Sequence, residues 1–168
     1  MAVQGVPYPA SIGGFLKGGS PLGSDVMADL ANKTAEACPN SKIVMAGYSQ
    51  GAQVVHNAME KVAAMSNTTA PNSNIDVASR ISSVVLFGDP RNGTAVAGVD
   101  QGRVLSLCNA QDDICTGGDR ITLDHLTYNR DAPQAAMFVM QSSYHSSPST
   151  DPRLSCFGIF QNALLQDP

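Results

Sequence analysis

The hydrophobic positions of this chain fall into short runs separated by longer amphipathic stretches. Three of the short runs predict strands, at residues 42–46, 81–87 and 104–107. The first is apolar without polar alternation, which is typical of a strand buried on both faces of a sheet, and the second contains the equally apolar segment VVLF.

The stretches around these runs predict helices. Apolar side chains share one helical face over residues 25–37, where Ser24 can cap the helix, and over residues 52–65. A last helix is expected at about residues 133–141. Because helices alternate with strands, the pattern indicates an α/β fold with a parallel sheet.

The remaining segments lack a regular pattern. Residues 1–23 are rich in Gly, Pro and Ser and predict a loop, and residues 66–76 predict a polar loop. Residues 142–168 are Ser- and Pro-rich and then irregularly apolar, and a short helix near 157–165 is the one element we expect there. We therefore divide the chain into a domain at residues 1–141 and a divergent, poorly ordered tail.

Length, charge and composition narrow the class of function. A chain of 168 residues is long enough to bury the core of one domain. The net charge of −4 and the lack of a Lys/Arg cluster argue against a nucleic-acid partner. No apolar run approaches the roughly 18 residues of a membrane span.

The four cysteines indicate an oxidising compartment rather than a metal site. Their spacing matches no zinc site, so we expect no metal. Cys108 and Cys115 bracket the short polar loop CNAQDDIC, which predicts a local disulfide. Two unpaired thiols are the alternative interpretation of the same spacing.

Ser49 is the candidate nucleophile. It lies in GYSQG, a G-x-S-x-G sequence that directly follows the predicted strand 42–46 and precedes the predicted helix 52–65. A serine at such a strand-turn-helix junction presents its hydroxyl at the end of the sheet, and the helix N-terminus adds free N–H groups. The alternative is a structural serine between two turn glycines.

A nucleophilic serine needs a histidine as base, and the chain has three. His56 lies two turns along the helix that follows Ser49, so we expect it to be a surface or packing residue. His145 lies in the tail and is also expected to have no role in the site. His125, in LDHLTY, follows the third strand and a loop that could bring it over Ser49.

The base in turn needs an orienting acid. The loop between the paired cysteines contains Asp112 and Asp113, and Asp119 and Asp124 lie close by. Spacing alone does not choose between these four carboxylates. An order of serine, acid and histidine along the chain is the one expected of α/β-hydrolases.

Three segments together, GYSQG, CNAQDDIC and DHLTY, resemble the fungal cutinase family, which includes acetylxylan esterases. VQGVPYPA and FGDP are also similar to cutinase segments, and the likeness covers about residues 3–141. The resemblance implies a three-layer α/β/α sandwich with a mostly parallel sheet. It also implies a secreted, extracellular, monomeric enzyme that hydrolyses carboxylic esters of cutin and short-chain esters without cofactor or metal, with acetylxylan esterase as the alternative.

The resemblance also assigns roles. The family pattern places the acid on Asp112 and the histidine on His125. Ser49 would attack the ester carbonyl and form an acyl-enzyme, and the backbone N–H of Gln50 would bind the oxyanion. The apolar residues on either side of the histidine, Leu123 and Leu126, would line an acyl groove or simply pack within their loop.

This sequence departs from the family before VQGV, where family members carry a strand central to the sheet and a loop with a second oxyanion donor. We therefore expect a fold missing the N-terminal strand or strands, with a gap or a substitute strand beside residues 42–46. The usual partner of Cys38 lies in that segment, so Cys38 is expected to be unpaired or paired with Cys156. We also expect the chain to be marginally stable or prone to aggregate. The alternative of another class is a catalytically silent relic or binding module that lacks the oxyanion loop.

Overall fold

The computed structural model describes residues 2–66, 76–145 and 157–161. Its strands are β1 (Ala2–Gly5), β2 (Lys42–Tyr48), β3 (Ile81–Phe87), β4 (Val104–Leu107) and β5 (Phe157–Gln161). Its helices are α1 (Ile12–Leu16), α2 (Pro21–Ala37), α3 (Gln50–Ser66), α4 (Val77–Arg80) and α5 (Ala132–His145). All three predicted strands and all three predicted long helices are present.

The described strands form one sheet in the order β1-β5-β2-β3-β4, and every described pair is parallel. Side chains at neighbouring positions of a strand point to opposite faces of the sheet, and helices cover both faces. Met45 and Leu86 pack with α2 and α3, whereas Ala46 and Val85 pack against α5. The fold is therefore an α/β/α sandwich, as the α/β prediction required.

The prediction of a loop over residues 1–23 is wrong. This segment contains β1, α1 and the start of α2. Helix α2 begins at Pro21, whose fixed φ suits the first helical position, and the Ser20 side chain caps it by accepting the N–H of Gly23 at 3.2 Å. Ser24, the predicted cap, lies inside the helix and donates its hydroxyl to the Ser20 carbonyl at 2.9 Å.

Strand β5 occupies the position between β1 and β2. Gly158 pairs with Ala2 on one side and with Ile43 on the other, both in parallel register. The short helix expected near 157–165 is wrong over residues 157–161, because this position in the sheet offers backbone partners on both sides. The expected substitute strand beside residues 42–46 is confirmed.

Several earlier predictions lie wholly or partly outside the described residues. They concern the polar loop, at residues 67–75, and the tail, at residues 146–156 and 162–168. The boundary at residue 141 stays a prediction. Cys38 is disulfide-bonded, so the alternative of an unpaired Cys38 is wrong, whereas Cys156 lies outside the described residues.

Removing β5 should destabilise the sheet. A chain ending at His145 leaves facing edges of β1 and β2 without partners, and each buried backbone group without a hydrogen bond costs roughly 1–3 kcal/mol. We expect a lower midpoint of thermal unfolding by circular dichroism and larger species in size-exclusion chromatography.

The matched control is a chain ending at Gln161, which keeps β5. Both chains are measured with reductant, so that the loss of Cys156 from the shorter chain does not enter the comparison. An unchanged unfolding midpoint in the chain ending at His145 would contradict a structural role for β5.

Candidate active site

The carboxyl ends of the parallel strands meet at one edge of the sheet, and the candidate residues follow those ends. Ser49 follows β2, Gly88 follows β3, and the loop with Asp112 and His125 follows β4. Open α/β sheets commonly bind ligands at this edge.

Ser49 adopts a strained backbone conformation. Its φ is 54°, and it is the one residue other than glycine with a positive φ among the described residues. The N–H of Ser49 donates to the carbonyl of Phe87 on β3 at 2.9 Å. At Gly47 a Cβ would collide with the backbone of Gly51, so the sharp turn requires glycine there. The β2–α3 junction thus holds the serine as the G-x-S-x-G context predicts.

The structure brings together the predicted serine, histidine and acid. The Nε2 of His125 lies 2.9 Å from the Oγ of Ser49, and its Nδ1 lies 2.8 Å from the Oδ2 of Asp112. His125 and Asp112 are fully buried, whereas Ser49 is half-buried. Such an arrangement can transfer the serine proton to the imidazole while the carboxylate fixes the ring orientation.

Geometry also separates Asp112 from the other three acids. Asp113 accepts the backbone N–H groups of Asp119 and Arg120 and pairs with the Arg120 guanidinium. Hydrogen bonds from Arg120 lower the pKa of the Asp113 carboxyl. Asp113 thus closes a turn, and Asp119 is exposed. Asp124 accepts a hydrogen bond from the side chain of Asn109 through its backbone carbonyl, not through its carboxylate.

The predicted local disulfide is present. Cys108 and Cys115 are bonded, with Cα atoms 5.7 Å apart. The loop they close carries Asp112, whose Oδ1 accepts the backbone N–H of Ile114 at 3.0 Å. The covalent link therefore limits the freedom of the segment that holds the carboxylate.

Two residues of the site were not identified from the sequence. Tyr128, three positions after His125, donates its hydroxyl to the Oδ2 of Asp112 at 2.6 Å, and burial together with this carboxylate raises the pKa of Tyr128. Gly88 has a φ of 55°, and a Cβ there would lie 2.9 Å from both His125 and Tyr128. Glycine directly after a buried strand was the available signal for the second residue.

The other two histidines are not part of this arrangement. His56 lies on the buried face of α3, and its Nε2 lies 2.9 Å from the Oδ2 of Asp89. It is therefore a packing residue, as expected, but not a surface one. His145 ends α5, and its side chain lies outside what the structure describes.

A cleft of about 340 Å³ opens beside Ser49. This volume is within the usual range of small-molecule sites. Most of its wall is apolar, formed by Ile12, Phe15, Leu16, Ile114 and Ile121. Leu123 and Leu126 are not among the residues that line this cleft and are largely exposed, whereas Ile121 of the same loop does line it. A place for the two leucines in an acyl groove stays a prediction.

Amide side chains of α3 hold the wall of the cleft. The Nε2 of Gln50 donates to the Ser11 carbonyl at 2.6 Å, and the Nε2 of Gln53 donates to the Phe15 carbonyl at 3.2 Å. One turn further, Asn57 donates to the Gly18 carbonyl at 2.9 Å. The helix that starts at the serine therefore also fixes α1 and its flanks.

Gln50 is the first residue of α3 and borders the cleft beside Ser49. Its backbone N–H has no acceptor within the helix, because the first four N–H groups of a helix lack one. This group is available to a negative charge next to the serine. Its assignment to the oxyanion stays a prediction.

Within residues 2–66, 76–145 and 157–161, no three His, Cys, Asp or Glu side chains are grouped so that they could hold a metal ion. In the same part of the chain, no helix combines the length and apolar character needed to cross a membrane.

Known proteins resemble this chain in sequence and fold. The Cutinase family model matches residues 1–143. A cutinase of Monilinia fructicola is 46% identical over 141 residues, which make up 84% of this chain and 65% of that protein. The structure of Trichoderma reesei cutinase with a C11Y4 phosphonate inhibitor is 45% identical, has a TM-score of 0.72, and is matched over 83% of this chain and 58% of its own.

A more distant structure shows likeness of fold alone. An acetylxylan esterase is 22% identical with a TM-score of 0.55, over 71% of this chain and 68% of its own. The chain spans less than two thirds of the length of the two cutinases.

Replacing Gly88 by Ala should destabilise the protein more than the same change at Gly93. Both glycines have a positive φ, so both changes cost about 1–2 kcal/mol of backbone strain. A Cβ at Gly93 meets nothing within 4 Å, whereas one at Gly88 meets the buried site and should cost about 1–3 kcal/mol more. Urea unfolding of the two variants measures the difference, and equal losses would contradict the tight contact at Gly88.

Proposed function

Because the chain belongs to the cutinase family, we propose that it is a secreted serine esterase that hydrolyses the carboxylic ester bonds of cutin and of short-chain esters. The observation that carries the proposal is the continuous hydrogen-bonded series from Asp112 through His125 to Ser49, which ends at an apolar cleft.

The reaction proceeds through an acyl-enzyme. The Oγ of Ser49 attacks the ester carbonyl carbon while the Nε2 of His125 takes the hydroxyl proton, and Asp112 stabilises the imidazolium. The N–H of Gln50 donates to the oxyanion of the tetrahedral intermediate, and one such donor is worth roughly 3–4 kcal/mol of the barrier. The C–O bond then breaks as His125 returns the proton to the alcohol. Water attacks the acyl group by the same route and releases the acid.

The cleft supports an ester with an apolar acyl part. The nucleophile Ser49 lines it, and most of its wall is apolar. Ile12 and Leu16, at the same wall, are 74% and 69% exposed. An insoluble polyester could therefore contact them without inserting its own polymer chain into a deep tunnel. The relatives named above as cutinases favour the same substrate class.

The Cys108–Cys115 disulfide supports an oxidising, extracellular compartment. The mechanism uses side chains and backbone groups of one chain alone, so it needs neither a cofactor nor a metal, and a monomer can carry it out.

The choice of acid can be tested with two neighbouring substitutions of the same kind. Asp112→Asn keeps the shape of the side chain but removes the charge behind His125, and kcat for p-nitrophenyl butyrate should fall about ten-thousand-fold. Asp113→Asn weakens only a partly exposed turn contact and should change kcat by less than about tenfold. Similar losses in both variants would contradict the assignment of Asp112.

The nucleophile is tested with Ser49→Ala in the same assay. Activity should fall about a million-fold, since no other group can form the acyl-enzyme. Hydrolysis that survives this change would exclude Ser49 as the nucleophile. A folded wild-type chain without any hydrolysis would favour the silent binding module.

The substrate class is tested by comparing p-nitrophenyl butyrate with acetylated xylan. The apolar walls of the cleft favour the butyrate ester, with the higher kcat/KM. A clear preference for acetylated xylan would instead assign the chain to the acetylxylan esterases.

A further inference from the structure

Tyr128 lies behind the candidate triad and not in the cleft. Its side chain is 94% buried, since its exposed fraction is 6%. The hydroxyl donates to the Oδ2 of Asp112 at 2.6 Å and accepts the backbone N–H of Asn109 at 2.9 Å. The same Oδ2 lies 2.8 Å from the Nδ1 of His125.

We propose that Tyr128 is a positioning residue of the esterase: its hydroxyl fixes the Asp112 carboxylate and competes with His125 for one carboxylate oxygen, which limits how strongly the imidazolium is stabilised. This inference rests on the proposed function, because it assigns Tyr128 a part in the proton transfer described above.

The hydroxyl and the ring of Tyr128 have separable contacts. The ring makes edge-on contacts with Tyr48, Phe87 and His125, at centroid distances of 6.0, 6.1 and 6.2 Å. A phenylalanine would keep all three contacts. The hydroxyl alone connects the ring to Asp112 and to Asn109.

The donor count around Asp112 explains why the hydroxyl matters. A fully buried carboxylate needs several donors, and the described residues give this one three: the N–H of Ile114 on Oδ1, and His125 and Tyr128 on Oδ2. A donated O–H withdraws negative charge from Oδ2, so His125 faces a weaker acceptor. Without that donor, the carboxylate would stabilise the charged imidazolium more strongly. At a given pH a larger fraction of the histidine would then already be protonated and unable to accept the serine proton.

Among the residues that the structure describes, the other ionisable groups near His125 occupy distinct positions. The ring of Tyr48 stacks on His125 at 5.0 Å, and its hydroxyl donates to the His125 carbonyl at 2.7 Å. Burial, with a smaller effect of Asp112, raises the pKa of Tyr48 to about 12. The remaining acids are Asp119 at the cleft, Asp124 next to the histidine in sequence, and Asp131 near Tyr128.

The test is the pH dependence of kcat/KM in Tyr128→Phe. The acid limb, which reports protonation of the base, should move to higher pH by about half a unit or more, and kcat should fall. Tyr48→Phe is the matched control, because it removes a hydroxyl that donates to the main chain of His125. In this control we expect the acid limb to stay in place, whatever happens to kcat.

A second variant covers the case in which Tyr128→Phe does not fold. Replacement of Tyr128 by 3,5-difluorotyrosine keeps the hydroxyl and makes it a stronger donor, so the acid limb should move to lower pH. Opposite shifts in the two variants support the proposal. A fall in kcat with an unmoved limb in either variant overturns it and leaves Tyr128 a packing residue.

The titration of the imidazole of His125, followed by NMR, gives the same shifts without any turnover. Together with the hydrolysis assay, this titration distinguishes a failure of the proposed esterase function from a failure of the proposed role of Tyr128. Loss of hydrolysis in wild type with shifted midpoints in both variants would overturn the proposed function alone. Normal hydrolysis with unshifted midpoints would overturn the role of Tyr128 alone.

Discussion

The site depends on a carboxylate that is closed off from bulk solvent. Asp112 is fully buried, and an ionised group in such a place is stable only when its oxygens accept several hydrogen bonds. Ile114, His125 and Tyr128 supply these bonds. Because the disulfide between Cys108 and Cys115 closes the loop around it, the carboxylate and its donors form a fixed support behind the histidine.

The parallel sheet brings this support to the serine. The loop after β4 and the turn after β2 lie at the same edge, and Gly88 after β3 leaves the space in which His125 and Tyr128 sit. Helix α3 then has two tasks, since it begins beside Ser49 and its amide side chains hold the wall of the cleft. The fold therefore positions the site by bringing together the backbone segments that follow several strands, and not through any single residue.

Sequence predicted β2, β3, β4, the three long helices and the residues that meet at the site, because each has a local signal: apolar runs, helical spacing, and motifs around Ser49, Asp112 and His125. It failed where the outcome depends on distant partners. Residues 157–161 have no strand pattern of their own, yet they pair on both sides in the sheet. Tyr128 was visible in DHLTY, but only folding shows that its hydroxyl reaches the acid.

The most direct test of the central claim, that Ser49 is an activated nucleophile, is covalent labelling with diethyl p-nitrophenyl phosphate followed by peptide mass spectrometry. The hydrogen bond from Ser49 to His125 predicts one phosphoryl adduct per chain, on the peptide that contains Ser49, and none in Ser49→Ala. A folded chain that takes up no label, or that carries it on another residue, would contradict the account.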